Sequence, residues 1–207
     1  MIAIIDYGAG NIRSVEKALQ HIGCAVTVTK DPAELLSADA AVLPGVGAFG
    51  DAMAELRARG LEEPIRKFIA SGKPFLGICL GLQILFESSE ESPGVAGLGL
   101  LKGKIVRIPA VEGLKIPHMG WNSLSVRKEG GLFTGVAGEP YVYFVHSYYL
   151  QAAEDIVSAT AEYGVTIHAA VQKNNVMACQ FHPEKSGAVG LELLQNFAAM
   201  IRKGERA

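Results

Sequence analysis

Cys79 stands between Gly77 and Gly81, where a short apolar run, Phe75 to Ile78, gives way to Leu82, Leu85 and Phe86 at three- and four-residue spacing. The run reads as a buried parallel strand and the spaced residues as a helix. A Gly-x-Cys-x-Gly joining strand to helix is the thiol form of a nucleophile elbow. The tight turn needs small neighbours, and it aims the first N–H groups of the helix at whatever the sulfur attacks. The plain alternative is a buried structural cysteine in an apolar segment.

A nucleophilic thiol needs a base, and the base needs an orienting group. Of the five histidines, His182 ends the strand Val176 to Phe181 and is followed by Pro183 and Glu184. The proline keeps His182 extended. Residues two apart in an extended segment share a side. Glu184 is therefore placed to accept from Nδ1–H, leaving Nε2 for the thiol. The other histidines lack a matching acid: His21 closes the first helix, His168 begins an apolar strand, and His118 and His146 sit in loop or strand-end segments, as plausible site residues without an acid partner nearby. Neither Cys24 nor Cys179 stands in a Gly-x-Cys-x-Gly setting, and both read as buried fillers. Cys79, His182 and Glu184 make a set for acyl transfer through a thioester, on an amide, ester or peptide.

The elements that must hold this set follow from the pattern. Strands at Ile2 to Ile5, Ala25 to Val28 and Ala40 to Leu43 alternate with helices at Ile12 to Ile22 and Leu61 to Ser71. Pro44-Gly45-Val46-Gly47-Ala48-Phe49-Gly50 follows the third strand, with Asp51 as a candidate cap for the next helix. Its freely presented N–H groups suit an oxyanion, although an ordinary glycine-rich connection reads the same way. Gly8-Ala9-Gly10 has Arg13 where a dinucleotide loop needs its third glycine, so a tight turn is the better reading. The acidic stretch Glu87 to Gly99 reads as surface loop.

Beyond residue 100 the pattern changes to closely spaced strands, at Ile105 to Ile108, Ser123 to Arg127, Tyr141 to Val145, Ile156 to Tyr163, Ile167 to Val171 and Val176 to Phe181. This half is expected to be antiparallel or mixed. Pro117 to Asn122, with the single tryptophan Trp121, falls between strands, and a last helix over Ala188 to Arg202 has Ser186 as its cap candidate. No internal repeat or linker divides the 207 residues, so one domain over 1–207 is expected.

Apolar residues make up 49% and charged residues 19%, which fits a globular chain and not a disordered one. A net charge of -2 offers no footprint for nucleic acid. No apolar run is long enough to span a bilayer, and no signal segment opens the chain. Three cysteines make no disulfide framework and no metal-ligand spacing. A cytoplasmic setting, with no metal and no membrane partner, is the expectation.

Gly77-Ile78-Cys79-Leu80-Gly81-Leu82-Gln83 and Phe181-His182-Pro183-Glu184 resemble the class I (triad) glutamine amidotransferases. Within that family, five further stretches look like the glutaminase subunits of imidazole glycerol phosphate synthases. They are Ile5-Asp6-Tyr7-Gly8-Ala9-Gly10-Asn11, Pro44-Gly45-Val46-Gly47, Pro117-His118-Met119-Gly120-Trp121-Asn122, Phe144-Val145-His146-Ser147-Tyr148 and Gln180 to Ser186. The likeness runs from Ile5 to Ser186.

The resemblance implies an α/β, flavodoxin-like single domain: a parallel or mixed central sheet flanked by helices, with an antiparallel part in the second half. It implies glutamine hydrolysis by Cys79, His182 and Glu184, without a cofactor. Leu80, Val46 and Gly47 would hold the oxyanion; Gly45, Gln83, Ser147 and Tyr148 would position glutamine. Ammonia would pass to a (β/α)8-barrel cyclase subunit in a heterodimer. There it would yield imidazole glycerol phosphate and aminoimidazole carboxamide ribotide for histidine synthesis. Asn11, Trp121, Tyr143 and Lys185 would lie near the interface and the ammonia route. Gly45 tolerates dihedrals closed to other residues, so a Gly45–Val46 peptide that flips when the partner binds is a further expectation. Three rival readings stay open: service to another synthase, an idle triad in a regulatory module, and a peptidase or γ-glutamyl hydrolase.

Overall fold

Four apolar runs become strands whose every residue is buried: β1 (Ile2–Ile5), β3 (Ala40–Gly45), β4 (Phe75–Cys79) and β13 (Val176–Cys179). Strands covered on both faces read as unbroken apolar runs, which is why no alternation marks them. The computed structural model describes residues 1–204; residues 205–207, the end of the expected 1–207 domain, lie outside the described residues. The remaining strands among the described residues are β2 (Val26–Thr29), β5 (Ser88–Ser89), β6 (Gly103–Arg107), β7 (His118–Ser123), β8 (Ser125–Val126), β9 (Tyr141–His146), β10 (Tyr148–Ala152), β11 (Val157–Glu162) and β12 (Thr166–Lys173). The helices are α1 (Ile12–His21), α2 (Pro32–Ser37), α3 (Phe49–Ala58), α4 (Glu62–Ala70), α5 (Leu80–Gln83) and α6 (Gly187–Gly204).

The central sheet runs β2-β1-β3-β4-β13-β12-β11-β8. The first five strands are parallel and the last three antiparallel to their neighbours. The pleat divides each strand between two cores. Ile2 and Ile4 pack with Val15 and Leu19 of α1 and Leu194 and Phe197 of α6. Ala3 and Ile5 face the other way, onto Leu35, Met53 and Phe68 of α2, α3 and α4. Two smaller sheets, β10-β6-β5 and the ribbon β7-β9, stand beside the main one. This is the α/β arrangement with an antiparallel second half that the sequence implied.

The structure departs from the local expectations in several places. The helix after Cys79 stops at Gln83 instead of running through Leu85 and Phe86. The chain returns at Leu98 to Leu101 and takes the carbonyls a longer helix would use: Leu98 N–H reaches Ile84 O at 2.8 Å, Leu100 N–H reaches Leu85 O at 2.9 Å, and Gly99 N–H reaches Phe86 O at 3.1 Å. Within Pro117 to Asn122, expected between strands, His118 onward is strand β7, which runs on through Ser123 and sets Trp121 opposite Tyr143 of β9. The aromatic run after Tyr141 breaks at Ser147 into β9 and an unanticipated β10, which pair with different sheets.

Asp51 lies in the first turn of α3 and not at its cap, which is Ala48. Two of that helix's orphan donors are satisfied from the acidic loop. Glu91 Oε2 accepts from Phe49 N–H at 2.8 Å, and Ser92 Oγ accepts from Gly50 N–H at 2.9 Å. The return segment depends on Gly97, where a Cβ would collide with Phe86 O and stand 3.0 Å from Phe49 Cζ. Gly97→Ala is expected to cost about 3 kcal/mol, at the upper end of overpacking. Urea unfolding measures it, and an unchanged midpoint would contradict this account of the segment.

Candidate active site

The candidate cleft lies at the carboxyl ends of the parallel strands, where α/β sheets place their sites. Cys79 ends β4 with φ 56° and ψ −109°, a left-handed conformation that a side chain adopts only under constraint. The two flanking glycines are needed for space. A Cβ at Gly81 would run into Leu43 O of β3, and one at Gly77 would stand 2.8 Å from Gly81 O. The elbow thus folds back on its own strand and on the next, with the Cys79 residue 7% exposed.

His182 arrives three residues beyond the end of β13, which pairs in parallel with β4. Its backbone is fixed by His182 N–H donating to Tyr143 O at 2.9 Å and by Ser186 Oγ donating to His182 O at 2.6 Å. Ser186 stands at the expected cap position, its carbonyl accepting from Gly190 N–H at 3.1 Å, while its Oγ also accepts from Tyr143 N–H at 3.0 Å and so clamps the histidine to β9. His182 Nδ1 lies 2.8 Å from Glu184 Oε1. His182 itself is extended, but Pro183–Lys185 form a single 3-10 turn. The carboxylate therefore reaches the ring by a turn and not along an extended strand.

With Nδ1–H given to Glu184, His182 Nε2 is left toward Cys79. Nε2 makes no well-formed hydrogen bond, and neither does Glu184 Oε2. Burial alone would lower the histidine's pKa, but the Cys79 sulfur and Glu184 together raise it to about 9. Such an imidazole is poised to hold a proton taken from the thiol. Cys179 differs: burial above all, then Glu184 and Cys79, push its thiol well up, and its Sγ donates to Phe181 O at 3.5 Å. None of Cys24, Cys79 and Cys179 forms a disulfide.

A cavity of about 390 Å³ opens over the sulfur, within the usual size for a small-molecule site. Val46, Gly47, Leu80, Gln83, Ser147 and Tyr148 all line it together with Cys79 and His182. Gly45 does not. It is buried behind the cavity, where a Cβ would collide with the Tyr7 hydroxyl and approach Leu80 Cβ at 2.8 Å. Gly45 is therefore a glycine for close approach. The left-handed backbone freedom expected there belongs to Gly47, at φ +100° with open space around it.

The structure adds Glu91 to the cavity lining, a role for Gln180 beside the sulfur, and a place for His146, a plausible site residue from its sequence position. Glu91 lines the mouth while its Oε2 is held by Phe49 N–H. Nothing local to an acidic loop could mark it, because the return of Leu98 to Leu101 sets its position. Gln180 Nε2 donates to Cys79 Sγ at 3.7 Å, and its Oε1 accepts from Gln83 Nε2 at 3.0 Å. Gln83 also donates to Tyr148 O at 3.1 Å. His146 completes this wall: its Nδ1–H donates to the same Tyr148 O at 2.9 Å, which makes its Nε2 the acceptor for His118 Nδ1–H at 3.1 Å. Burial holds both histidines neutral, lowering His118 to about 4 and His146 to about 3. His168 Nδ1 accepts from Ala152 N–H, and His21 is exposed at the end of α1.

Three of the four residues assigned to an interface stand together. Trp121 and Tyr143 are cross-strand neighbours with ring centres 6.2 Å apart, and Lys185 Nζ lies 5.9 Å over the Tyr143 ring. Met119, Trp121 and Tyr141 expose 61%, 56% and 56% of their surface on the same face of the ribbon. Asn11 precedes α1 without capping it through its side chain. Among the described residues, no group of three or more His, Cys, Asp or Glu could hold a metal, and no helix is long and apolar enough to cross a membrane.

The sequence profile described as "Glutamine amidotransferase class-I" matches residues 3–201. The chain is 55% identical to the "Imidazole glycerol phosphate synthase subunit HisH" of Methanothermobacter thermautotrophicus, over 98% of this chain and 100% of that one. It is 51% identical to the protein of the same name from Moorella thermoacetica, over 100% and 98%. Among solved structures, that of PurLQS from Thermotoga maritima has a TM-score of 0.75 at 22% identity, covering 97% of this chain and 98% of that one. A structure described as a glutamine amidotransferase has a TM-score of 0.76 at 20% identity, covering 98% and 100%. These two likenesses concern the fold.

The histidines give the fold a two-sided pH dependence. His182 binds its proton more tightly folded than unfolded, so its contribution is full below about pH 6.5 and is lost as pH rises through about 9. His118 and His146 bind theirs less tightly when folded. Their contribution is full above about pH 6.5 and is lost as pH falls through about 4 and about 3. The melting temperature is expected to peak near pH ~6.5. Cys79→Ala, which removes one cause of the raised histidine, should flatten the fall on the alkaline side. Equal alkaline slopes in the two proteins, by calorimetry, would contradict the coupling of Cys79 to His182.

Proposed function

The chain belongs to the class I glutamine amidotransferase family, and from that premise we propose that it is the glutaminase subunit of an imidazole glycerol phosphate synthase in histidine biosynthesis. The observation that carries this reading is His182 held between Glu184 and Cys79 at the base of a cavity of amino-acid size.

His182 Nε2 takes the proton of Cys79 as the sulfur attacks the side-chain amide carbon of glutamine. The carbonyl π electrons move onto oxygen, where the N–H of Leu80 and one from Val46 or Gly47 hold the charge. His182 returns the proton to nitrogen, the C–N bond breaks, and ammonia leaves a thioester on Cys79. Water then gives a proton to His182 and attacks the thioester. The C–S bond breaks, glutamate departs, and the sulfur recovers its proton. Glu184 keeps Nδ1–H engaged, so Nε2 serves both steps.

Glu91, whose carboxylate lines the mouth, is suited to the α-ammonium of the substrate; Ser147 and Tyr148 border the same end. Ammonia would pass to a (β/α)8-barrel cyclase subunit docked on the exposed Met119, Trp121 and Tyr141 face, next to Lys185. A single domain over 1–207 working in the cytoplasm, without cofactor or metal, completes the reading.

Cys79→Ala is expected to abolish glutamine-dependent synthesis by the complex while leaving synthesis from added ammonium intact. Glu91→Gln should raise KM for glutamine by tenfold or more with a small change in kcat. The lone chain should hydrolyse glutamine slowly and accelerate when the cyclase and its nucleotide are added. The decisive measurement is glutamate release with and without that partner, and with a pyridoxal-phosphate, guanylate or anthranilate synthase in its place. Acceleration only by one of the latter would assign the chain to that synthase. A fast lone-chain rate that no partner changes would favour a free-standing hydrolase.

A further inference from the structure

Among the described residues, three buried side-chain atoms capable of hydrogen bonding have no partner: His182 Nε2, Glu184 Oε2 and Tyr7 Oη. Two belong to the catalytic set. The third is on a residue with no assigned role, just past the end of β1, and it is fully enclosed. Cys79 acts on it: burial chiefly, and the nearby sulfur in addition, push the phenol's pKa upward, so the hydroxyl remains a donor under all working conditions. An enclosed, unpaired hydroxyl is costly and needs a reason.

The position of that hydroxyl supplies one. A Cβ on Gly45 would collide with it, so it lies directly behind the residue whose peptide leads to Val46. Val46 and Gly47 line the cavity, whereas Tyr7 does not. In a trans peptide the carbonyl and the N–H point in opposite directions. Turning the Gly45–Val46 unit so that Gly45 C=O meets the Tyr7 hydroxyl therefore sends Val46 N–H toward the cavity. That turn changes ψ of Gly45, which has no Cβ to restrict it, and φ of Val46, which is 43% exposed.

We propose that Tyr7 is a positioning residue of the oxyanion hole, its hydroxyl donating to Gly45 C=O when Val46 N–H faces the reacting carbonyl. The proposal rests on the glutaminase reading above and adds a residue to it. In the present arrangement the hydroxyl is unpaired, so removing it costs the fold nothing. In the turned arrangement its removal deletes a hydrogen bond.

Tyr7→Phe tests this by setting two readouts against each other. Its melting temperature should equal or exceed that of the wild type. Its kcat for glutamine should fall about tenfold, the worth of one neutral hydrogen bond, with KM unchanged. The same fall is expected with the cyclase and its nucleotide present and in the slow lone-chain reaction, since each turnover needs the turned peptide. A drop in melting temperature alongside kcat would make Tyr7 a structural residue and overturn the proposal. So would wild-type kcat in the variant while the wild type responds to its partner. A tenfold loss in the lone chain, with no response to the cyclase in either protein, would overturn the choice of partner and sustain the role of Tyr7. No glutamine turnover by the wild type under any condition would overturn both.

Discussion

Strands Phe75–Cys79 and Val176–Cys179 are paired in parallel, with Ile78 opposite Cys179. That register is where a cysteine and a histidine about a hundred residues apart become neighbours. Every other part of the site is arranged around it. The next parallel neighbour, Ala40–Gly45, places Gly45 opposite Cys79 and delivers Val46 and Gly47 to the cavity rim. A one-residue slip of either strand would turn the side chains to the opposite face of the sheet. Both strands are buried on both faces, where such a slip is opposed by the packing of two separate cores.

The site departs from the usual rules of a stable interior. A cysteine sits at positive φ, and unpaired polar atoms lie on His182, Glu184 and Tyr7. Each unpaired group costs about 1–3 kcal/mol, and the strained residue about as much. These costs are concentrated around and just behind one cleft, while the surroundings are heavily braced. Gln180, Gln83, His146 and His118 form one continuous hydrogen-bonded wall from the sulfur to strand β7. Ser186 fastens His182 and Tyr143 to each other through one hydroxyl. Strain of this kind persists only where the surrounding structure over-determines it.

What the sequence made legible was local. Gly77, Cys79 and Gly81 could be read because an elbow requires small residues at fixed offsets. The buried parallel strands showed themselves as short apolar runs. The Glu184 contact was anticipated for an incomplete reason, since spacing allows the pair to meet by either an extended segment or a turn. What stayed hidden was set by distant chain. The helix after Cys79 is cut short by Leu98 to Leu101, whose hydrogen bonds leave no trace near Leu85. Glu91 looks like any acid in a polar loop until Phe49 N–H fixes it. Gly45 and Gly47 are the same letter with different duties, one for space and one for φ, and only coordinates separate them.

The exposed ribbon is mechanically joined to the chemistry at two points. Tyr143 carries an aromatic ring on the outer face, while its backbone carbonyl holds His182 N–H. His118 lies on the inner face of the same ribbon, stacked between Tyr163 at 3.9 Å and Phe144 at 4.6 Å, and it passes its hydrogen bond through His146 to the Tyr148 carbonyl at the cavity. Met119 and Trp121 therefore stand on strands that hold His182 N–H at one end and, through His118 and His146, the Tyr148 carbonyl at the other. Because interiors are close-packed and resist compression, these contacts join the exposed ribbon and the cleft into one packed body.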